Sequence, residues 1–480
     1  MKSKIVSFIV LGILLYLVFL LRLDSFSIRP WDESTFAVNA YEMLHGHHYF
    51  VPYFNGGVDN LTTKPLLSRW LQMLFVTILG YNELAIRLPS AIAGILTAYF
   101  LFIFIKKVGS TLWAWCSFMV LITSIGFVHF HTARTGDSDA ILTLFLFLSN
   151  IYFFYFVSTE ENKSRNIFLY FLFLALAFGT KSVAALLFIP AHLFILVYTK
   201  KTKEAFSLKG LYLGKLAFLL IAAFFILSRQ LYDPNYINNI LNNDASRLFT
   251  TIDLHKEPFD FYFNNFYSYR FSCWVAIFLL GAILLWRQHQ EPNNKSIFIW
   301  CISLICCQLF IISYSVTKLE WYDMPLYPYL AIIAGYAIYY CLKNLPRFNH
   351  ANVTMPLLII LLFSIPLYFA IKQSHDNDRK PGDRKMERVE DYLFEKEKQG
   401  VNLNNYTVCD NSYLGPMLFY KYKLQDKGQQ IKLADTSSIQ APTMLIAAND
   451  TIKNYVLHKF NCTVTDSWNE LVVLDVKSKK

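Results

Sequence analysis

Long apolar runs separated by short polar loops dominate this chain. Runs long enough to cross ~30 Å of hydrocarbon occur near 5–21, 84–105, 112–130, 140–157, 183–198, 213–228, 272–286, 297–316, 325–342 and 354–371. A shorter run at 167–178 needs flanking residues or a thinned bilayer to span. The pattern therefore predicts an α-helical integral membrane protein with about 11 transmembrane helices.

Composition and charge agree with this prediction. Hydrophobic residues make up 55% of the 480 positions and charged residues 16%, a more apolar balance than soluble domains have. Basic residues fall in alternate short loops, which the positive-inside rule places in the cytoplasm together with the N-terminus. The formal net charge of +10 reflects this topology and does not indicate nucleic-acid binding. No small-x-small cleavage pattern follows the first apolar run, so we expect it to be a retained helix.

The predicted orientation defines two domains. Residues 1–371 form the transmembrane domain, with external loops at about 22–83 and 229–271, and residues 372–480 form a soluble external α/β domain in the periplasm or outside the cell. Interleaved aromatic and polar residues in the first loop favour interfacial helices. In the last hundred residues, a helical stripe precedes short apolar runs at Tyr406–Cys409, Thr443–Ala447 and Leu471–Leu474, which favours an α/β arrangement.

The stretch Arg29-Pro-Trp-Asp-Glu-Ser-Thr35 carries two adjacent carboxylates just after the first apolar run. We interpret Asp32 as a catalytic acid or base and Glu33 as a supporting residue. The alternative is that either carboxylate caps the helix that begins near Thr35, because carboxylates favour helix N-termini.

Further charged residues lie at the ends of the apolar runs on the same predicted face. Lys64 precedes a proline that favours an extended backbone, so its ammonium is available to a lipid phosphate. The alternative for Lys64 is a snorkelling lysine. Asp139 opens an apolar helix, where a carboxylate is favourable structurally and also suits a transfer site at the membrane edge. Arg134 lies shortly before it, and Lys181, at the end of another run, is an anchor or a further site residue.

The second loop and a later turn add candidates to this face. Arg247 is a candidate for bidentate binding of an anion, and His255 is a candidate in the same loop. Lys318 and Tyr322 lie in the turn before the run at 325–342. Three histidines of the first loop, His45, His47 and His48, match no standard metal-site spacing, so we expect interfacial packing there.

In these motifs the chain resembles the C-type (GT-C) glycosyltransferases, in particular the branch containing protein O-mannosyltransferases and the lipid A aminoarabinose transferase. The motifs are Trp-Asp-Glu after the first helix, Thr-Lys-Pro closing the first loop, Arg-Leu-Pro-Ser-Ala at 87–91, Ala-Arg-Thr-Gly-Asp-Ser-Asp-Ala at 133–140, Thr-Lys-Ser at 180–182 and Lys-Leu-Glu-Trp-Tyr-Asp-Met-Pro at 318–325. Each is weak alone, and their order, spacing and common face make the set specific.

The resemblance implies that Asp32 is the catalytic carboxylate and Asp139 a second acidic group near the site. It also implies that Lys64 contacts the phosphate of a polyprenyl-phosphate sugar, such as undecaprenyl phosphate, with the Tyr322 hydroxyl nearby. Either the Asp244/Arg247 pair or His255 aligns with the basic or histidine ligand of the second loop. Relatives often have glutamate where this chain has Thr63, and that glutamate helps to hold a metal in some of them, so a divalent metal cofactor stays open here.

The chemistry implied is a single, inverting displacement in the cytoplasmic (inner) membrane. An acceptor hydroxyl needs a base, which Asp32 can supply, and the departing lipid phosphate needs cations, which Lys64 and an arginine can supply. The sequence leaves the donor sugar open, as well as the acceptor: lipid A, another glycolipid or a protein hydroxyl. The alternative is a multi-pass transporter or lipid flippase, although such proteins usually place charges near the bilayer midplane and show internal repeats.

Cysteine positions raise one further question. Six of the eight cysteines lie in apolar segments, where they act as small apolar residues. Cys409 and Cys462 lie in the C-terminal domain, on the side where disulfides persist. Adjacent strands could bring them together as a bridge, and the alternative is two buried thiols.

Overall fold

The structure is a computed structural model that describes residues 2–129, 131–246, 249–250, 255–288, 291–344, 351–375 and 387–480. It is largely helical. In chain order the helices are α1 (Lys2–Leu15), α2 (Asp32–His45), α3 (Leu67–Leu79), α4 (Glu83–Val108), α5 (Thr111–Ile122), α6 (Ile125–Val128), α7 (Asp139–Ser158), α8 (Lys163–Lys181), α9 (Ile189–Tyr198), α10 (Thr202–Ser207), α11 (Lys209–Gln230), α12 (Tyr236–Asn239), α13 (Phe261–Asn265), α14 (Val275–Arg287), α15 (Pro292–Tyr314), α16 (Tyr327–Asn344), α17 (Ala351–His375), α18 (Arg388–Lys398), α19 (Gly415–Asp426) and α20 (Asp450–Lys459). The strands are β1 (Tyr53–Phe54), β2 (Gly57–Val58), β3 (Tyr406–Cys409), β4 (Lys432–Ala434), β5 (Thr443–Ala447), β6 (Phe460–Trp468) and β7 (Leu471–Lys479).

The chain divides into two compact units. The membrane unit comprises Met1–Leu21, Asn60–Ser68 and Pro89–His375, within the described residues. The mixed unit comprises the described residues of Arg22–Asp59, Arg69–Leu88 and Asp376–Lys480.

Six described helical segments are long and apolar enough to cross a membrane. They are Glu83–Val108, Asp139–Ser158, Lys163–Leu186, Lys209–Gln230, Asn293–Tyr314 and Glu320–Asn344. The pair Phe261–Arg270 and Val275–Arg287, bent by 111°, makes a seventh if it is one span. The multi-pass helical fold is therefore as predicted, while the number of 11 crossings stays a prediction.

The helices of the membrane unit pack side by side along their apolar faces. Helix α7 packs against α8, and α8 packs against α11. Helix α14 lies so close to α16 that a Cβ on Gly281 would be 2.1 Å from the carbonyl oxygen of Ile333. Only glycine permits this approach, because a Cβ there would overlap the backbone oxygen.

The mixed unit is built on a five-stranded sheet of order β4-β3-β5-β7-β6. Strand β3 runs parallel to both β4 and β5, whereas β7 runs antiparallel to β5 and β6. The core beneath this sheet also contains residues from the segments before Pro89, among them Ile28, Tyr41, Val76, Tyr81 and Ile86. The early segments of the mixed unit therefore complete the core of the C-terminal sheet.

Of the two alternatives left open for Cys409 and Cys462, the structure has the unbridged thiols. Cys409 ends β3 and Cys462 lies on β6, with β5 and β7 between these strands. Three strand spacings of about 4.8 Å separate the strands by roughly 14 Å. A disulfide needs Cα atoms within about 4.4–6.8 Å of each other, so the strand order prevents it.

Candidate active site

Asp32 is the first residue of helix α2, directly after a strained residue. Trp31 has φ 66° and ψ −123°, a conformation that costs a non-glycine residue about 1–3 kcal/mol. The Trp31 carbonyl then accepts hydrogen bonds from the Thr35 backbone N–H at 2.9 Å and the Thr35 hydroxyl at 2.6 Å. These bonds hold the turn, which leaves Asp32 half-buried at the positive end of the helix dipole.

Glu33 is buried in an ion pair with Arg87, in contrast to its neighbour Asp32. Its two carboxylate oxygens accept Arg87 Nε at 2.8 Å and Nη2 at 3.0 Å, and one also accepts the Arg29 backbone N–H at 2.8 Å. The other Arg87 N–H groups donate to the carbonyls of Leu23, Phe26 and Ser27. The pair therefore ties the residues before Asp32 to the N-terminal part of α4, and Glu33 acts as a support for the loop.

Tyr413 is a residue of this region that the sequence did not reveal. Its ring stacks on Trp31 with centroids 4.7 Å apart and an interplanar angle of 22°, and its hydroxyl shares a short hydrogen bond with the Thr35 hydroxyl. Burial raises the pKa of Tyr413 to about 12, with smaller contributions from the Asp59 and Asp32 carboxylates. Tyr413 is therefore neutral at neutral pH and buttresses the strained residue that precedes Asp32.

The membrane unit contains a cavity with cationic groups and apolar walls. Its empty volume, with the open mouth included, is about 840 Å³. The polar lining comes from Lys64, Asp139, Lys181, Ser182, Gln308, Ser315 and Tyr322, and the apolar lining from Leu142, Val183, Ala184, Leu187, Ile311, Ile312 and Pro325. The structure thus brings together three predicted site residues, namely Lys64, Asp139 and Tyr322.

Asp139 and Lys181 form an ion pair at the edge of this cavity. Lys181 Nζ lies 2.7 Å from Asp139 Oδ1, with 13% and 3% of the respective side chains exposed. The same ammonium lies 5.0 Å from the centre of the Tyr322 ring, within range of a cation–π contact. Asp139 begins α7 and Lys181 ends α8, so two helix ends supply the pair. Lys181, considered from the sequence as a turn anchor, therefore lines the cavity.

The backbone at Lys64 is held from the end of α11 and the residues after it. The Thr63 carbonyl accepts the Tyr236 hydroxyl at 2.9 Å, and the Lys64 carbonyl accepts Arg229 Nη1 at 3.4 Å. Arg229 is buried, and its guanidinium lies 4.4 Å from the centre of the Tyr236 ring. This arrangement fixes the main chain on both sides of the Lys64 side chain as it enters the cavity.

The other predicted residues have different surroundings. Lys318 Nζ donates to the carbonyls of Glu257 at 2.9 Å and Ser315 at 2.5 Å, and burial lowers its pKa. Arg134 donates to the carbonyls that follow α1. His255 is exposed, and its carbonyl accepts the Lys318 N–H at 3.0 Å. Arg247 lies outside the described residues. None of these described side chains lines the cavity, so their site roles stay predictions.

The cavity does not fit a divalent metal. Two ammonium groups line it, and its one lining carboxylate, Asp139, is already paired with Lys181, whereas Mg²⁺ and Ca²⁺ need several oxygen ligands. Two of the exposed first-loop histidines stack on tyrosine rings. The His45 ring stacks on Tyr41 and the His48 ring on Tyr53, with centroids 3.9 Å and 4.2 Å apart.

Comparisons with known proteins bear on this arrangement. The family model described as dolichyl-phosphate-mannose-protein mannosyltransferase matches residues 63–227. An uncharacterized protein of Aquifex aeolicus is 25% identical over 346 residues, which are 70% of this chain and 65% of the relative. An undecaprenyl phosphate-alpha-4-amino-4-deoxy-L-arabinose arabinosyl transferase of Shewanella sediminis is 25% identical over 122 residues, 25% of this chain and 22% of that protein. The matched stretches thus span less than two thirds of both relatives.

The fold has a counterpart among solved structures. ArnT from Cupriavidus metallidurans, solved with bound undecaprenyl phosphate, aligns with a TM-score of 0.73 over 99% of this chain and 98% of that one. The sequence identity is 14%, so this likeness concerns the fold.

Proposed function

We propose that this chain, as a GT-C protein of the protein mannosyltransferase and ArnT type, transfers a sugar from a polyprenyl phosphate to an acceptor hydroxyl. The family model, the ArnT fold and the arabinosyl transferase relative confirm the resemblance predicted from the sequence. The proposal extends to an external active site in the inner membrane and to a lipid or protein acceptor.

The observation that carries the proposal is the combination of charges and apolar walls in one cavity. A polyprenyl-phosphate sugar joins an anionic diester to a long hydrocarbon chain, so its site needs cations beside an apolar surface. Lys64 and Lys181 supply two positive charges, and Asp139 neutralises one of them. These cations beside apolar walls suit a phosphodiester that is joined to a hydrocarbon chain.

The same charges favour the reaction as well as binding. The acceptor oxygen forms a bond to the anomeric carbon while the bond from that carbon to the phosphate oxygen breaks, and its electron pair stays on the phosphate. The phosphate thereby becomes a monoester with a charge of about −1.5 to −2 at neutral pH. The lysine ammonium groups are already in position before the reaction, so they stabilise the charge that develops on the phosphate and lower the activation barrier. A single displacement of this kind inverts the anomeric centre.

Asp32 is proposed as the base that takes the proton of the acceptor hydroxyl. Its carboxylate is half-buried, so it stays accessible to a substrate. The ion pair between Glu33 and Arg87 fixes the loop that carries it. Glu33 is fully buried, and both of its oxygens bind Arg87. Of the two adjacent carboxylates, Asp32 is therefore the one suited to proton transfer.

A transporter or flippase is the second candidate. The observation in its favour is a polar network inside the helices, where His192 bonds to Asn150 at 2.7 Å and to Tyr170 at 3.0 Å, and Asn150 donates to Tyr329 at 2.6 Å. These groups satisfy one another, however, whereas the charged cavity residues lie at helix ends. Charges at helix ends favour chemistry at the membrane edge over passage through the midplane.

The test is complementation of a deletion strain, with mass spectrometry of its envelope lipids and glycoproteins. We expect the strain to lack one sugar modification, which the wild-type gene and Asp24→Asn restore and Asp32→Asn does not. Asp24 is the matched control because it is an exposed carboxylate of the same loop. Full restoration by a well-folded Asp32→Asn protein would refute the assignment, and a strain with unchanged covalent modifications would refute the transferase.

A further inference from the structure

The sheet of the mixed unit has a point at which its connections change direction. From β3 the chain passes through α19 to β4 on one side, and it then returns to β5 on the other side of β3. All three strands are parallel, so their carboxyl ends lie at the same edge. In open sheets of this kind, the loops after two such neighbouring strands separate and leave a crevice in which ligands bind.

A cavity lies at this edge. Its lining comprises Asp410, Asn411 and Ser412 after β3, Ala448 and Asn449 after β5, and Arg388 and Val389 at the start of α18. The empty volume is about 670 Å³, including open solvent. Topology and cavity are independent observations, and both identify the space between the β3 and β5 loops.

The lining contains both hydrogen-bond acceptors and hydrogen-bond donors, held in place by their own contacts. Asp410 accepts from the Ser412 N–H at 2.9 Å and hydroxyl at 2.6 Å, which holds its carboxylate in place. Asn449 Oδ1 accepts from the Ile452 N–H at 2.9 Å, so the amide of Asn449 presents its N–H groups. Arg388 pairs with Glu470 at 2.7 Å, which uses part of its five-donor guanidinium.

The buried carboxyl group next in sequence to a lining residue has an oxygen without a hydrogen-bond partner among the described residues. Glu390 follows the lining residue Val389 and is 2% exposed, and its Oε2 has no hydrogen-bond partner among the described residues. Burial, with the carboxylates of Glu387, Asp410 and Asp391, raises the pKa of Glu390. Buried polar atoms without a partner are rare and usually point to water or a ligand.

We propose that this cavity binds a neutral, polyhydroxylated group, namely a sugar residue of the acceptor. A simple anion would meet the Asp410 carboxylate and a simple cation the Arg388 guanidinium, whereas hydroxyl groups can accept from the arginine and amides and donate to the carboxylate. Ser412 is followed directly by Tyr413, which stacks on Trp31 beside Asp32. The acceptor role rests on the proposed function; binding of the sugar does not.

The binding test uses the purified full-length protein in detergent and methyl glycosides of common hexoses as probes. Ligand-observed NMR should show saturation transfer to at least one glycoside, with binding weakened roughly five- to tenfold by Asn411→Ala or Arg388→Ala. Asn461→Ala is the matched control, since this exposed asparagine lies on β6 away from the cavity lining. Inorganic phosphate and Ca²⁺ serve as the ionic probes.

Each outcome of these experiments either supports or overturns the proposed sugar site. Glycoside binding that responds to Asn411→Ala and not to Asn461→Ala supports the site, whereas equal binding by all variants, no glycoside binding, or binding of only phosphate or Ca²⁺ overturns it. If glycosides bind as expected while the deletion strain loses no modification, the sugar site stands and the transferase function fails. If Asp32→Asn abolishes transfer but no glycoside binds, the transferase stands and this site fails.

Discussion

Replacing Glu33 with glutamine should destabilise the protein, whereas replacing its neighbour Asp32 with asparagine should remove only activity. Glu33 is fully buried and Arg87 is 2% exposed. In Glu33→Gln the guanidinium keeps its charge and loses its counter-ion in a site without access to water. Removing one partner of a buried ion pair typically costs about 3–5 kcal/mol.

Asp32→Asn should have a much smaller effect on stability. The carboxylate is half-buried in the first turn of α2, where its interaction with the helix dipole contributes about 0.3–1 kcal/mol. Because each kcal/mol shifts the melting temperature by about 2–4 °C in a domain of 150–250 residues, the two variants should differ by several degrees. The measurements are thermal unfolding of the detergent-purified proteins and sugar transfer in the complementation assay.

A double variant tests the physical reason. Glu33→Gln with Arg87→Met removes both charges, so it should be less destabilised than the sum of the two single variants. Wild-type thermal stability of Glu33→Gln, or strict additivity in the double variant, would refute the claim that this pair holds the loop. Equal loss of stability in Asp32→Asn would refute the distinction between the two carboxylates.

Three other outcomes follow from the structure. Lys64→Ala should weaken use of the donor more than Lys64→Arg, as measured by the KM for the polyprenyl-phosphate sugar, and equal near-normal values would make Lys64 a structural anchor. Lys181→Met should raise the donor KM, and Asp139→Asn should lower or preserve it because it removes a negative charge from the cavity wall. A raised KM in Asp139→Asn would contradict this electrostatic account. Cys409 and Cys462 should both alkylate in denatured, unreduced protein, and protection from alkylation there would instead indicate a disulfide. In native protein at pH 8, Cys409 should react about a hundredfold more slowly than an ordinary thiol, because burial raises its pKa to about 11.

The sequence predicts those features that depend on local pattern. Apolar runs locate the membrane helices, and strands occur at the predicted positions Tyr406–Cys409 and Thr443–Ala447. Lys64, Asp139 and Tyr322 could be assigned to one face because each lies at the end of an apolar run. The structure adds that they line the same cavity.

Pairings between distant residues could not be obtained in this way. The Lys181–Asp139 pair joins residues 42 positions apart, and Tyr413 meets Thr35 across 378 positions. For Arg87 a signal did exist, because an arginine near the start of an apolar helix needs a partner, although the sequence does not say which carboxylate. The pairing of Cys409 and Cys462 could not be decided from the sequence because the order of strands in a sheet is set by packing, which short apolar runs do not encode.

The composition of the mixed unit also has a consequence for biosynthesis. Its early segments end at Leu88 and its sheet is described from Tyr406 onward, so a ribosome working at about 5–20 residues per second needs roughly 15–60 s to deliver the roughly 300 residues between them. Throughout that interval Ile28, Tyr41, Val76 and Ile86 have no sheet to cover them. A nonsense mutation late in the gene would therefore leave these apolar residues exposed, and quality-control proteases should remove the truncated chain.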